Sequence, residues 1–189
     1  MGKIISLLLV LLLALLSWWF QEDWQKPLLL TQPQDQHFPD YFMEDFTVIK
    51  MNPQGQVSHR IKARYMQHYN DTGEAQMQQP EITFEQDDIR WTISAQRAET
   101  HDNSPNIYLY DNVKIQRQNS QHQEDLNITT HYLEFNSQSR IAQTDKPAQI
   151  KTPDSELNAT GMLIDYTQGI LKLNSEVKGR YAPRHFAAH

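Results

Sequence analysis

The chain contains no cysteine. Disulfides, thiolate metal sites, a cysteine nucleophile and a lipid-modified cysteine are thereby excluded. Glycine is scarce, with six in 189 residues, and no glycine-rich phosphate loop is present. Positive charge is short too: 17 Lys and Arg stand against 23 Asp and Glu, a net charge of -6. Phosphate contacts need a basic stripe, and its absence argues against nucleic acid as a partner. Gly-x-Ser-x-Gly and His-Glu-x-x-His are both missing, so neither a serine hydrolase elbow nor a zincin site is encoded. Beyond the first twenty or so residues, no window sustains helical periodicity over the ten or more residues a helix needs. The reading is a non-enzyme that requires no cofactor.

One long hydrophobic run is present. Ile4 to Phe20 is apolar over about 17 residues, interrupted only by Ser6 and Ser17, just long enough for one membrane-spanning helix. The run ends in Ser17-Trp18-Trp19-Phe20, then Gln21-Glu22-Asp23-Trp24, without the small-x-small pattern of a cleaved signal peptide. Its tryptophans suit an interfacial belt, and the basic flank is the N-terminal one, which places the remainder outside the cytoplasm. The expected organisation is an anchor at 1–21, a Pro- and Gln-rich periplasmic tether at 22–39, a folded domain at 40–181 and a short tail at 182–189.

The domain is organised around the stretch from Gln79 to Ile115. Pro80, Ile82, Phe84, Trp91, Ile93, Ala95, Ile107, Leu109, Val113 and Ile115 alternate with polar residues at a period of two, the mark of strands with one buried face. A shift of about 31 residues lays Leu126-Asn127-Ile128-Thr129 on Leu157-Asn158-Ala159-Thr160, with Leu133 over Ile164 and Phe135 over Tyr166. Gln79-Pro80-Glu81-Ile82, Asp111-Asn112-Val113, Lys146-Pro147-Ala148 and Ser175-Glu176-Val177 each place a turn residue just before an apolar strand residue. Such units cannot bury their apolar faces alone, so they must stack or fold into two apposed sheets. Turns are expected at 52–55, 70–73, 85–88, 101–106, 117–125, 136–139, 153–155 and 167–169.

The inward set comprises Ile61, Ala63, Met77, Ile82, Phe84, Trp91, Ile93, Ala95, Leu109, Val113, Ile128, Leu133, Phe135, Leu157, Ala159, Leu171, Leu173, Val177 and Tyr181. Three uses of that set differ in class. A lipid path predicts an apolar trough between the sheets; a scaffold that binds no ligand and recruits partners through its edges predicts dense filling. A glycan-binding protein predicts Trp91, Tyr108 and Tyr110 outside with carboxylates beside them. Eight histidines, His37, His59, His68, His101, His122, His131, His185 and His189, show no ligand spacing and are read as surface residues. Glu74, Glu81, Glu85, Asp87 and Asp88 fall in turns or on polar strand phases, where solvation explains them.

The order of these features resembles a known family. The anchor, the tether, Asn52-Pro53-Gln54-Gly55 after the first strand, Gln79-Pro80, Leu109-Tyr110-Asp111-Asn112-Val113 and Asn158-Ala159-Thr160-Gly161-Met162 together are similar to the LptC family of lipopolysaccharide export proteins. The resemblance implies an all-β fold: a twisted, open β-jellyroll of stacked antiparallel strands behind one N-terminal transmembrane helix. It also implies a single-pass protein of the bacterial inner membrane with its β domain in the periplasm. Its partners would be lipopolysaccharide, an inner-membrane ABC transporter complex and a soluble periplasmic bridge protein of the same fold. Gly55 matches a turn glycine nearest the transporter, and Tyr181 an aromatic at the edge where the next jellyroll docks.

Overall fold

The computed structural model describes residues 37–181, apart from Pro53, Asp87, Ser120 and His122. The anchor at Ile4 to Phe20, the tether as far as Gln36 and the tail at 182–189 lie outside the described residues. Eleven strands follow in order: β1 (Tyr41–Met51), β2 (Val57–Tyr69), β3 (Glu74–Gln78), β4 (Glu81–Gln86), β5 (Ile89–Ser94) and β6 (Arg97–His101). Then come β7 (Asn106–Gln118), β8 (Glu124–Asn136), β9 (Ile141–Thr152), β10 (Ser155–Asp165) and β11 (Ile170–Tyr181). No helix is found among the described residues, so none there is long and apolar enough to cross a membrane.

All eleven strands join one antiparallel sheet, ordered β11-β10-β9-β8-β7-β5-β4-β2-β3-β6, with β1 on the free side of β2 and β6 also paired to β7. The expected pair of apposed sheets is therefore a single sheet folded on itself. The fold line crosses every long strand near its middle. There the register slips between Tyr110 and Val113, between Thr130 and Glu134, and on both sides of β10 around Thr160. Asp45, Gln79, Asp111, Asn112, Gly161 and Glu176 all take positive φ, between 44° and 80°. Asp, Asn and Gly adopt that region most readily, and bulges bend strands.

The repeated turn residues of the sequence thus mark a crease within the strands rather than hairpin ends. Pro147 sits mid-strand in the doubly paired β9, a place forbidden to proline in a regular ladder. It is tolerated because it lies at the crease, where its carbonyl accepts the Thr130 hydroxyl at 2.9 Å. Thr160 Oγ1 donates to Glu176 Oε2 at 2.7 Å, and Arg97 Nε to Asp111 Oδ2 at 2.9 Å, so polar side chains reinforce the same line.

Two walls result. The first holds β3, β6 and residues 41–44, 65–69, 106–110, 132–136, 141–144, 162–165 and 170–173. The second holds β4, β5 and residues 46–51, 57–63, 113–118, 124–130, 147–152, 155–160 and 175–181. A one-residue offset at the crease flips the inward phase, so β2 buries His59 and Ala63 on one side and Met66 and His68 on the other.

Candidate functional site

Hydrogen-bond register places the inward residues in rows across each wall. The middle row of the second wall runs Val48, Ile61, Ile82, Ile93, Ile115, Ile128, Ile150, Leu157 and Gly179, one residue from each successive layer. Nearer the crease stand Phe46 with Ala63, then Val113, Thr130, Ala148 and Ala159. Phe84, Trp91 and Leu126 line the mouth, the side opposite the crease. On the first wall, Met43, Met66, Met77, Ala98, Leu109 and Leu133 form one row. The other includes Ile107, Phe135, Ala142, Ile164 and Leu171. Most of this ladder joins positions 7 to 22 residues apart, which no local periodicity displays.

The space between the walls is filled. Ile82, Ile93, Leu109, Val113, Ile115, Ile128 and Leu133 are wholly buried, as interiors packed to crystalline density require. The mouth is closed by aromatic rings: Phe84 stacks on Phe135 across the walls at 5.7 Å, and Tyr166 meets Phe84, Trp91 and Phe135 edge-on. Grooves do exist on the outer face, including one of about 880 Å³ lined in part by Thr47, Arg60, Lys62, Glu81, Thr83 and Arg90. Ile49 and Val57 also line that groove, so its surface is mixed rather than apolar.

Six of the candidate residues need comment. Val177 and Tyr181 keep the inward phase of β11 but are 52% and 72% exposed, because β11 is an edge strand that the first wall does not cover there. Ile61 and Leu171 are half-buried, and Ala95 falls in the break between β5 and β6, its N–H donating to the Pro80 carbonyl at 3.2 Å. Gly55 takes φ +77° in the β1–β2 turn with nothing close to where a Cβ would stand, so its need is conformational alone. Alternation does mark Ile107, Ile115, Ile150 and Met162, yet the inward set passes over them although all four are buried.

The aromatic platform does not assemble. Trp91 lies inside, whereas Tyr108 and Tyr110 share registers with polar residues of the outer face, and the Tyr110 hydroxyl donates to Glu99 at 3.1 Å. Burial first, then the neighbouring Glu99 charge, pushes the Tyr110 phenol up to about 12. Among the described residues no group of three or more His, Cys, Asp or Glu could hold a metal ion. Glu85 is occupied by Arg90, whose Nη2 lies 2.6 Å from Oε1.

Two histidines read as surface residues are buried. His59 follows the inward phase of Ile61 and Ala63; burial lowers its pKa first, and nearby Lys50 and Arg140 add to the effect. His68 is clamped, with Nδ1 2.7 Å from Asp40 and Nε2 3.3 Å from Asp102, under the stacked ring of Tyr41 at 4.7 Å. The bond to Asp40 chiefly raises its pKa. A raised folded-state pKa adds stability that is complete below the unfolded imidazole value of about 6.5 and disappears as pH rises through the folded value. The melting temperature of the native chain relative to His68→Gln is therefore expected to fall as pH rises from about 6. An unchanged difference across that range would refute the clamp; the His59 contribution cancels between the two proteins.

A creased antiparallel sheet with an apolar interior and, among the described residues, two unpaired edge strands defines the class: a β-jellyroll that is not closed into a barrel. The family profile described as "Lipopolysaccharide-assembly, LptC-related" matches residues 6–182, and the chain belongs to that family. The lipopolysaccharide export system protein LptC of Escherichia coli K12 is 32% identical over 79 residues, which is 41% of this chain and 41% of that protein. LptC of Shigella flexneri matches to the same extent. Among solved structures, LptH of Pseudomonas aeruginosa, the LptA-homologous periplasmic component of the lipopolysaccharide transport device, superposes with a TM-score of 0.49 at 8% identity, covering 80% of this chain and all of LptH.

Proposed function

We propose that this chain is the inner-membrane-anchored component of lipopolysaccharide transport. It receives lipopolysaccharide from an ATP-driven ABC transporter complex in the inner membrane. It then passes the lipid, acyl chains between the walls and sugars in water, to a soluble periplasmic protein of the same fold for outer-membrane assembly. Family membership supports the reading. The observation that carries it is the apolar middle row, which no polar residue caps at either end among the described residues, from Val48 to Gly179. Val48 on edge strand β1 is 45% exposed, and at the far edge Gly179 is exposed too, with Val177 beside the row open as well. Repeat arrays that end in water carry polar caps, so an uncapped row implies that another jellyroll continues it through backbone pairing at the edge. Exposed Phe42, Ile49, Met51 and Val57 extend the apolar surface around the β1 end, on the side the resemblance assigns to the transporter.

Energetics permit such a path. One chain-bearing lipid buries several hundred square ångströms, worth many kcal/mol at about 25 cal/mol per Å². Bilayer, carrier and partner are all apolar, so each transfer is nearly balanced and direction must come from ATP elsewhere. Parting the walls exchanges wall–wall contact for wall–chain contact, which keeps opening affordable.

Dense filling favours the second reading, a β-scaffold whose core stays dry and whose edges alone recruit partners. Photocrosslinking in membrane vesicles separates them. With probes at Phe84, Trp91 and Leu133, and at outward Tyr110 as control, the lipid path predicts ATP-dependent capture of lipopolysaccharide at the inward positions alone. Partner co-purification without inward capture would leave the scaffold.

A further inference from the structure

Tyr166 is out of place. It opens the turn between β10 and β11, where polar residues normally face water, yet it is 3% exposed and its hydroxyl has no hydrogen-bond partner among the described residues. Its ring lies 4.9 Å from Phe84 and 4.7 Å from Trp91 on the second wall, and 6.1 Å from Phe135 on the first. It is a wedge between the walls at the mouth.

A position with only a packing role is better served by phenylalanine, because a buried hydroxyl without a partner forfeits its bonds to water. The backbone beneath it is held, with the Tyr166 N–H donating to the Arg140 carbonyl at 3.0 Å and Asp165 Oδ1 accepting from the N–H groups of Thr167 and Gln168, each at 3.0 Å. Side-chain rotation toward the adjacent solvent would satisfy the hydroxyl and vacate a ring-sized space walled by Phe84, Trp91 and Phe135. Phe84 and Phe135 offer only hydrocarbon surface, and the Trp91 ring, with the Arg117 guanidinium 5.6 Å from its centre, adds a broad aromatic face.

We propose that Tyr166 is a displaceable plug, and that the space it fills is a binding site for one acyl chain, entered as the phenol swings to solvent. This rests on the reading of the interior as a lipid path. The unpartnered hydroxyl biases the closed form toward opening.

Trp91 supplies the probe. The chain has four tryptophans, so replacing Trp18, Trp19 and Trp24 with Phe leaves Trp91 as the sole emitter in the full chain, held in nanodiscs. A dibrominated stearate quenches it only on contact. Tyr166→Phe keeps the wedge and removes the buried hydroxyl, so half-quenching should require about tenfold more stearate, the factor that corresponds to ~1.4 kcal/mol. Tyr166→Ala leaves the space vacant and should require about tenfold less. Should the alanine variant fail to fold, the phenylalanine variant still decides, since unchanged or tighter quenching overturns the plug. Weakening by both substitutions also overturns it, because Tyr166 would then hold the chain rather than yield to it. If a probe at Leu133 captures lipid while Trp91 ignores Tyr166, the plug alone is wrong. If neither position meets lipid in any variant, the lipid path fails and the plug with it.

Discussion

Phe135→Ala is expected to lower the stability of the β domain by about 3–5 kcal/mol, the range for removing a large buried aromatic. Phe135 is almost wholly buried on the first wall, stacked on Phe84 of the second at an interplanar angle of 9° and edge-on to Tyr166. Truncation removes transfer free energy and leaves a cavity on which both walls must collapse. Each wall is a hydrogen-bonded sheet half, so neither can close that gap without straining its ladder. Domain stabilities lie at about 5–15 kcal/mol, so this single change removes a large share. The corresponding drop in melting temperature is roughly 6–20 °C for a domain of this size. Gln116→Ala, on the outer face of the second wall, should stay within about 0.5 kcal/mol of the native chain. A melting point for Phe135→Ala indistinguishable from that control would show that the walls do not depend on contact across the mouth.

Gly161→Val is expected to loosen the C-terminal edge while sparing the centre. Gly161 lies at the crease of β10 with φ +80°, and a Cβ there would stand 2.7 Å from Asn174 Nδ2 and 3.2 Å from Asn174 Cβ on β11. Conformational strain of about 1–3 kcal/mol is unavoidable for a β-branched residue at positive φ. The clash adds to it. Among the described residues β11 pairs only with β10, so the least costly relief is for β11 to lift away where Thr160 faces Ser175 and Met162 faces Leu173. Amide hydrogen exchange across β11 should rise roughly ten- to hundredfold, while β4, β5, β7 and β8 keep their protection. Gly169→Val is a discriminating control, because Gly169 also has positive φ but nothing near its Cβ position. Equal exchange in both variants would mean that strain alone matters and the contact with Asn174 does not. If β11 is the edge that meets the next jellyroll, the Gly161 variant should also lose docking.

Much of this architecture is legible in the chain itself, and the parts that are not share one cause. Alternation located the strands and their buried phases, because a side-chain period of two is a local property of extended backbone. Turn chemistry located the hairpins from Asn70–Gly73 to Thr167–Gly169 for the same reason. The repeat that laid Phe135 over Tyr166 even paired two residues that touch in the fold.

Register, by contrast, belongs to pairs of strands, and no single window contains it. The turn residues before Ile82, Val113, Ala148 and Val177 read as ends of units, yet three of these motifs bend a strand in its middle, and all four lie on one crease. That crease shifts the inward phase in β2, β8 and β10, which is how His68 came to be buried beside Met66 instead of facing water. Tyr166 is legible as a turn residue and nothing more, because only the folding of one wall over the other brings Phe84 and Trp91 against it. The sequence by itself determined that the described domain is a chain of one-faced strands. Tertiary structure decided that the faces close on each other along a single crease, since burial of an apolar face depends on a partner surface that lies far away in the chain.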